Sequence, residues 1–289
     1  MNPTAFHQQR RFLETSFGRI AYIEQGSGPV TLFLHGLPLC GYQWRGVIED
    51  LAPARRCIAL DEMGLGYTEI AAGQDVSFAA QAQMIAAFLA AANIDKVDVV
   101  GNDTGAGVSQ IFAATYPTRA RTLTLTNCEV YDRWPNALLT GFYQGVAAGA
   151  VPQAMKQMLS DTTLARRQLG AVVYEDAELF TPELVQLYLA PIVASDDRIK
   201  QFQQLCDWTK NRAQLMEIAP KLRASTIPAQ IIWGEADPVF AMEPSLDWLR
   251  ANLGGLKKIT RVPRAKLFFP EEHPRLMSVL LNEFWGALA

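Results

Sequence analysis

One short stretch limits the folds open to this chain more than any other: KVDVVGNDTGAGVSQ, residues 96–110. Val97, Val99 and Val100 are β-branched and suit a short buried strand. From Ala106 to Tyr116 apolar residues recur at helical spacing until Pro117 stops them. Strand and helix meet at Gly101-Asn102-Asp103-Thr104-Gly105, a small-x-Asp-x-small pattern. A bend that sharp needs glycine two positions to either side of its apex, because a Cβ there would collide with the neighbouring chain. It lifts the apex side chain, Asp103, clear of the sheet and sets the first N–H groups of the helix beside it. A simpler reading stays open, in which Asp103 caps an ordinary helix start.

At 289 residues the chain can form one large α/β domain with an inserted lid. A hydrophobic content of 49% against 19% charged residues fits a globular protein with a sizeable core. The net charge of −3 leaves no electrostatic footprint for nucleic acid or an anionic membrane. Residues 1–11 are polar, with Arg10 and Arg11 and no apolar run, so no signal-peptide pattern opens the chain. No stretch is long and apolar enough to span a bilayer. Cys40, Cys57, Cys128 and Cys206 are scattered without metal-ligand spacing. They read as reduced core thiols, and a cytoplasmic location is expected. No cofactor or metal site is expected, and the sequence does not address oligomeric state.

Phe12–Phe17 and Arg19–Glu24 alternate around Gly18 and predict a hairpin, and Val30–Leu34 predicts a third strand. That strand ends in His35-Gly36-Leu37-Pro38-Leu39, where Gly36 is expected to supply the backbone angles that turn N–H groups toward Asp103. Tyr42–Leu51 reads as a helix and Cys57–Leu60 as a strand. In the following loop Asp61 and Glu62 resemble a carboxylate pair, but with no third ligand in sight both are expected to bond backbone in a tight turn. Asp75 or Ser77 is expected to cap a helix running through Asn93. Strands follow the elbow at Arg121–Thr126, Ala229–Trp233 and Lys257–Val262, and a closing helix is expected over Glu271–Ala289.

Between residues 129 and 222 the strand pattern gives way to helical stretches, roughly 136–149, 151–170, 182–192 and 196–218. A helical block between two strands is the signature of a lid over a site. The expected division is a core of residues 1–128 and 223–289 with a helical cap at 129–222. Trp134, Phe142, Tyr143, Tyr174, Phe180, Tyr188, Phe202 and Trp208 are mostly core, while a few line an apolar cavity. The strand at 229–233 ends in Gly234-Glu235-Ala236-Asp237-Pro238, where Asp237 either serves a site or starts a turn and caps the next helix.

These motifs, in this order and with a helical insertion between the second and third, resemble the haloalkane dehalogenase and epoxide hydrolase branch of the α/β-hydrolase superfamily. The resemblance covers essentially the whole chain. It implies an α/β-hydrolase fold, a mostly parallel eight-stranded sheet flanked by helices, with an inserted helical cap. It makes Asp103 a nucleophile that attacks an sp³ carbon, displacing halide or opening an epoxide to leave an alkyl-enzyme ester. Asp237 becomes the acid that orients a histidine, the backbone N–H groups of Leu37 and Thr104 the oxyanion donors, and His35 a brace for its own loop. The implied partner is a small, largely apolar molecule.

The chain departs from that pattern at the base. The loop AKLFFPEEHP, residues 265–274, places Leu267 where the family carries its histidine, and leucine accepts no proton. Only two other histidines are present besides His35: His7 near the terminus, and His273, six residues past Leu267, a weak substitute. Thr104 and Leu37 also stand where dehalogenases grip halide with an indole N–H and a polar side chain, and Arg, expected at 104 in haloacetate dehalogenases, is absent too. Asp103, an ionised carboxylate near neutral pH, could still attack, while ester hydrolysis would slow by roughly 10²–10⁴. Two rivals therefore stand beside the hydrolase: a lyase, isomerase or cyclase using Asp103 for proton transfer, and a ligand-binding protein on the same scaffold.

Overall fold

The elbow strand lies inside a single sheet. The computed structural model describes residues 2–288. Met1 and Ala289, where the expected core begins and the expected closing helix ends, lie outside the described residues. The strands are β1 Arg11–Thr15, β2 Gly18–Gln25, β3 Val30–Leu34, β4 Arg56–Leu60, β5 Val97–Asn102, β6 Ala120–Thr126, β7 Ala229–Gly234 and β8 Leu256–Val262. They form one eight-stranded sheet in the order β1-β2-β4-β3-β5-β6-β7-β8. Only the β1–β2 and β2–β4 pairings are antiparallel. The expected hairpin forms at Gly18, whose φ of +123° disfavours any other residue. β5 and β7 are buried along their whole length, as a parallel strand covered on both faces must be.

Helices α1 Pro3–Gln9, α2 Arg45–Leu51, α3 Phe78–Ala91 and α4 Thr104–Thr115 pack around the first half of the sheet. Tyr42–Leu51 is not one helix: a 3₁₀ turn at Gly41–Trp44 precedes α2. The start of α3 corrects a second expectation. Neither Asp75 nor Ser77 caps it with a side chain across the first turn. Instead Asn211 Oδ1 accepts from the Phe78 N–H at 3.1 Å and Gln214 Oε1 from the Ala79 N–H at 2.9 Å. Both come from a helix at Trp208–Glu217, so the orphan donors of a core helix are satisfied from the insertion.

Ten helical segments fill the chain between β6 and β7, from Ala137–Ala147 to Ala219–Ala224. The stretch expected at 151–170 is broken at Asp161, whose carboxylate caps a new turn through the Leu164 N–H at 2.9 Å. The stretch at 196–218 breaks at Asp207, which caps Trp208–Glu217. In both cases an Asp that competes with the backbone ended one helix and began another. The closing helix is split too: a single turn at Phe269–Glu272 ends at His273, and Pro274–Gly286 follows. Proline has no N–H to continue the ladder and pushes its predecessor out of the helical region. No helix among the described residues is long and apolar enough to cross a membrane. The four cysteines are free and buried.

The elbow glycines can be tested directly. A Cβ on Gly105 would lie 2.5 Å from the carbonyl oxygens of both Leu34 and His35, backbone that cannot give way. Gly105→Ala should therefore destabilise the fold by about 3 kcal/mol, read as a fall in urea midpoint at unchanged m.

Candidate active site

Asp103 occupies the bend between β5 and α4 at φ 55° and ψ −130°, a conformation that costs a non-glycine residue about 1–3 kcal/mol. Its side chain does not cap the second or third turn residue of α4, which removes the plain helix-cap reading. It turns toward β3 instead, where Oδ2 accepts from the Leu37 N–H at 2.8 Å, and the Thr104 N–H also stabilises the carboxylate. Gly36 makes this approach possible, though not for its backbone angles, since its φ is not in the left-handed region. A Cβ there would stand 2.9 Å from Asp103 Oδ2 and 2.8 Å from the Phe268 ring, so glycine is needed for room.

His35 is fully buried and committed through both ring nitrogens. Nδ1 lies 2.9 Å from the Gly36 carbonyl, and Nε2 accepts from the Glu62 N–H at 3.0 Å. That pairing fixes the tautomer with its proton on Nδ1. Burial also lowers the pKa of the ring, so it stays neutral. Gln43 extends the bracing: its Oε1 accepts from the Gly36 N–H at 2.9 Å and its Nε2 donates to Asn102 Oδ1 at 2.6 Å. Asn102 then donates to Thr126 Oγ1 at 2.8 Å and to the Leu267 carbonyl at 3.0 Å. One amide thus ties the residue before the apex to β6 and to the last loop.

Above Asp103 lies a cavity of about 130 Å³. Leu37, Pro38, Thr104, Val239 and Leu267 form its floor, and Leu138, Leu139, Phe142, Tyr143, Gln168, Leu169, Val172 and Val173 its roof. The space suits a ligand no larger than a small aromatic ring. Of the aromatic residues named from sequence, only Phe142 and Tyr143 reach it. Tyr174 and Tyr188 instead donate to Glu271 at 2.6 and 2.7 Å, and Arg45 pairs with the same carboxylate.

The remaining candidates are not all brought together. Asp237 lies beside the cavity rather than on its wall. Its Oδ2 accepts from Asn127 Nδ2 at 2.8 Å and its Oδ1 from the Val239 N–H at 2.8 Å. The helix that follows starts at Met242 behind Ala241, so Asp237 does not cap it. Asn127 was not legible as a site residue, because an Asn directly after a strand carries no motif. Leu267 presents an apolar side chain to the cavity. His273 is at the surface, 2.8 Å from Glu175 Oε1, and lines no part of the cavity. His7 packs on Tyr67, also away from it. The one convergent set of three possible metal ligands among the described residues is Glu175, Glu272 and His273. Glu272 already spends both oxygens on the N–H groups of Glu175 and Asp176.

The electrostatics revise two expectations. Burial pushes the Asp103 carboxyl up to about 8, against the N–H groups of Leu37 and Thr104 and with the charge of Asp237 adding to it. Asp103 is therefore largely protonated at neutral pH, not ionised. Burial raises Asp237 as well, to about 6. Asp61 does bond backbone, accepting from Gly41 and Tyr67 N–H groups at 2.8 and 2.9 Å. Glu62 does not: it is fully buried with both carboxyl oxygens unpartnered, and burial, with the nearby Asp103 adding to it, pushes its carboxyl well above the usual carboxylate range. Glu129, past the end of β6, is in the same condition and was missed from sequence.

The family described as alpha/beta hydrolase fold matches residues 29–259 of this chain. Haloalkane dehalogenase 2 of Mycobacterium tuberculosis is 24% identical over 292 residues, covering 99% of this chain and 98% of its own. Cis-3-alkyl-4-alkyloxetan-2-one decarboxylase of Shewanella oneidensis is 23% identical over 256 residues, 83% of this chain and 77% of the relative. Epoxide hydrolase 1 of Caenorhabditis elegans is 22% identical over 293 residues, 95% of this chain and 69% of the relative.

A raised carboxyl pKa fixes the sign of a stability effect. Asp103 is neutral in folded and unfolded chains below pH 3.8, but between there and about 8 only the unfolded chain ionises it readily, so folding loses stability as pH rises. Asp103→Asn should abolish that loss. Its unfolding free energy should exceed that of the parent by an amount that grows from pH 4 to pH 8, reaching a few kcal/mol, in urea titrations at a series of pH values.

Proposed function

Because the chain belongs to the alpha/beta hydrolase fold family, we propose that it is an enzyme of the haloalkane dehalogenase and epoxide hydrolase branch that uses Asp103 as a nucleophile on a small, largely apolar epoxide or alkyl halide. One observation carries the reading. A strained, buried carboxyl faces an apolar cavity while the Leu37 N–H donates to it at 2.8 Å. The core at 1–128 and 223–289 supplies this group, and the cap at 129–222 roofs the cavity.

An Asp103 oxygen attacks the carbon, the carbon–oxygen bond of the epoxide or the carbon–halogen bond breaks, and an ester links substrate to Asp103. The electron pair leaves with the epoxide oxygen or with halide. Tyr143 is the tyrosine on the cavity wall, and its hydroxyl keeps its proton because burial raises its pKa. It is the group placed to protonate an opening epoxide, whereas no paired donors await a halide. Epoxide is therefore the favoured electrophile. In the second step water attacks the ester carbonyl, with the charge that develops on its oxygen held by the Leu37 and Thr104 N–H groups; the acyl–oxygen bond then breaks, and the alcohol departs with the proton that the water gives up. Asp237 has both oxygens engaged and no histidine to orient. Leu267 leaves the water without a base, so this step is the slow one.

A non-hydrolytic reading has its own support. Asp103 carries a proton near pH 7, which suits acid/base work without an ester, and one relative is named a decarboxylase. The two readings separate by intact-mass spectrometry after incubation with small terminal epoxides. The nucleophile reading expects a persistent adduct on Asp103. Its rate of formation should rise about tenfold per pH unit until the carboxyl ionises near pH 8. It should be absent in Asp103→Asn, and in Leu267→His release should be faster by roughly 10²–10⁴. Turnover without any adduct would overturn it in favour of proton transfer.

A further inference from the structure

At the edge where the parallel strands begin, opposite the edge that carries Asp103, the fold holds a second cavity of about 540 Å³. Asp98, the second residue of β5, lines it. Five residues of extended chain, roughly 16 Å, separate Asp98 from Asp103. The charged groups on the wall are Arg55, Arg121 and Asp98, two cations and one carboxylate. Asp98 is buried, and its acceptor capacity is spent inside this cluster. Both guanidiniums donate to its Oδ2, Arg121 through Nη1 at 2.5 Å, and the Thr122 hydroxyl donates to Oδ1 at 2.8 Å. One positive charge is left over.

The two cations are held from behind. Arg55 Nε donates to Thr31 Oγ1 at 2.7 Å, and the guanidinium lies 3.7 Å from the centre of the Trp285 ring. That indole is fixed in turn, its Nε1 donating to Thr122 Oγ1 at 3.2 Å. Arg121 Nη2 donates to the Lys96 carbonyl at 3.1 Å. Arg55 Nη1 and Arg121 Nε are left without an acceptor among the described residues. Burial lowers the pKa of Arg55, Asp98 opposes that, and the charge of Arg121 adds to it, so the guanidiniums repel across the cluster. The Arg121 side chain is 39% exposed and offers a way in from solvent, whereas that of Arg55, at 12%, lies deeper. The remaining wall is largely apolar, with Pro29, Pro228, Trp285 and Leu288. Positioned guanidiniums with donors to spare match a carboxylate, and a metal cation or an amine would meet an excess of its own sign.

We propose that this cleft is a second binding site, which takes a small carboxylate with an apolar or aromatic body. The carboxylate sits against Arg55 and Arg121, and the body lies along Trp285 and the prolines. One surplus charge calls for a monoanion, and the apolar walls exclude water from its body. This site is separate from the reaction assigned to Asp103 and holds whether or not that carboxyl is a nucleophile.

Isothermal titration of the full chain with benzoate and with benzamide, a neutral probe of nearly the same shape, tests this. Benzoate should bind at least about tenfold tighter at low ionic strength, the lower end of what hydrogen bonds to a charged group contribute. The preference should shrink several-fold as salt rises from about 20 to about 200 mM, because the cleft is open to screening ions. Arg121→Gln leaves Asp98 paired with Arg55 and Thr122, so it should lose the preference while circular dichroism shows it folded. Equal binding of the two probes by the parent chain overturns the proposal without recourse to any variant, as does a preference that survives Arg121→Gln. Inorganic phosphate binding tighter than benzoate would overturn the carboxylate assignment in favour of a phosphate site.

Discussion

A carboxyl group taken out of water needs compensation, and at Asp103 the chain supplies little. Two backbone N–H groups face it, no cation does, and Asp237 adds repulsion. Much of the surrounding geometry serves to hold that uncomfortable group where it is. Gly36 and Gly105 remove side chains that would collide with the elbow or its neighbours. His35, neutral and locked, and Gln43 fix the β3 loop whose N–H reaches the carboxyl. Strain and desolvation of this kind persist only where the rest of the fold overdetermines them.

The architecture was legible because it rests on local signals. Alternation and β-branched runs gave the strands. The Gly101–Gly105 spacing announced the bend, and the His35-Gly36 and Asp237 loops fell at strand ends. What sequence hid was whatever depends on distant partners. Asn211 and Gln214 cap α3 from more than a hundred residues away, so no local capping rule could find them. Helix breaks at Asp161 and Asp207 were carried by capping residues that a hydrophobic count overlooks. The protonation of Asp103 was misread because its usual pKa was applied to a site whose burial only the folded chain creates. Glu129 looks like any loop glutamate until its neighbours are known.

The last loop separates track from cargo. Asn102 holds the Leu267 carbonyl, the Phe268 N–H donates to the Val173 carbonyl at 3.0 Å, and Glu271 gathers Tyr174, Tyr188 and Arg45. Each anchor works through the backbone or through a residue other than 267. Position 267 on the cavity wall can therefore be apolar without the loop straying, and in the proposed ester mechanism this would separate attack from release.

The side chains of Asn211 and Gln214 have a mechanical meaning as well. They complete the first turn of α3, so lifting their helix away would strand two N–H donors of the central layer in a dry interface. That half of the insertion is riveted to its base. Any opening of that part of the insertion would have to break both bonds at once.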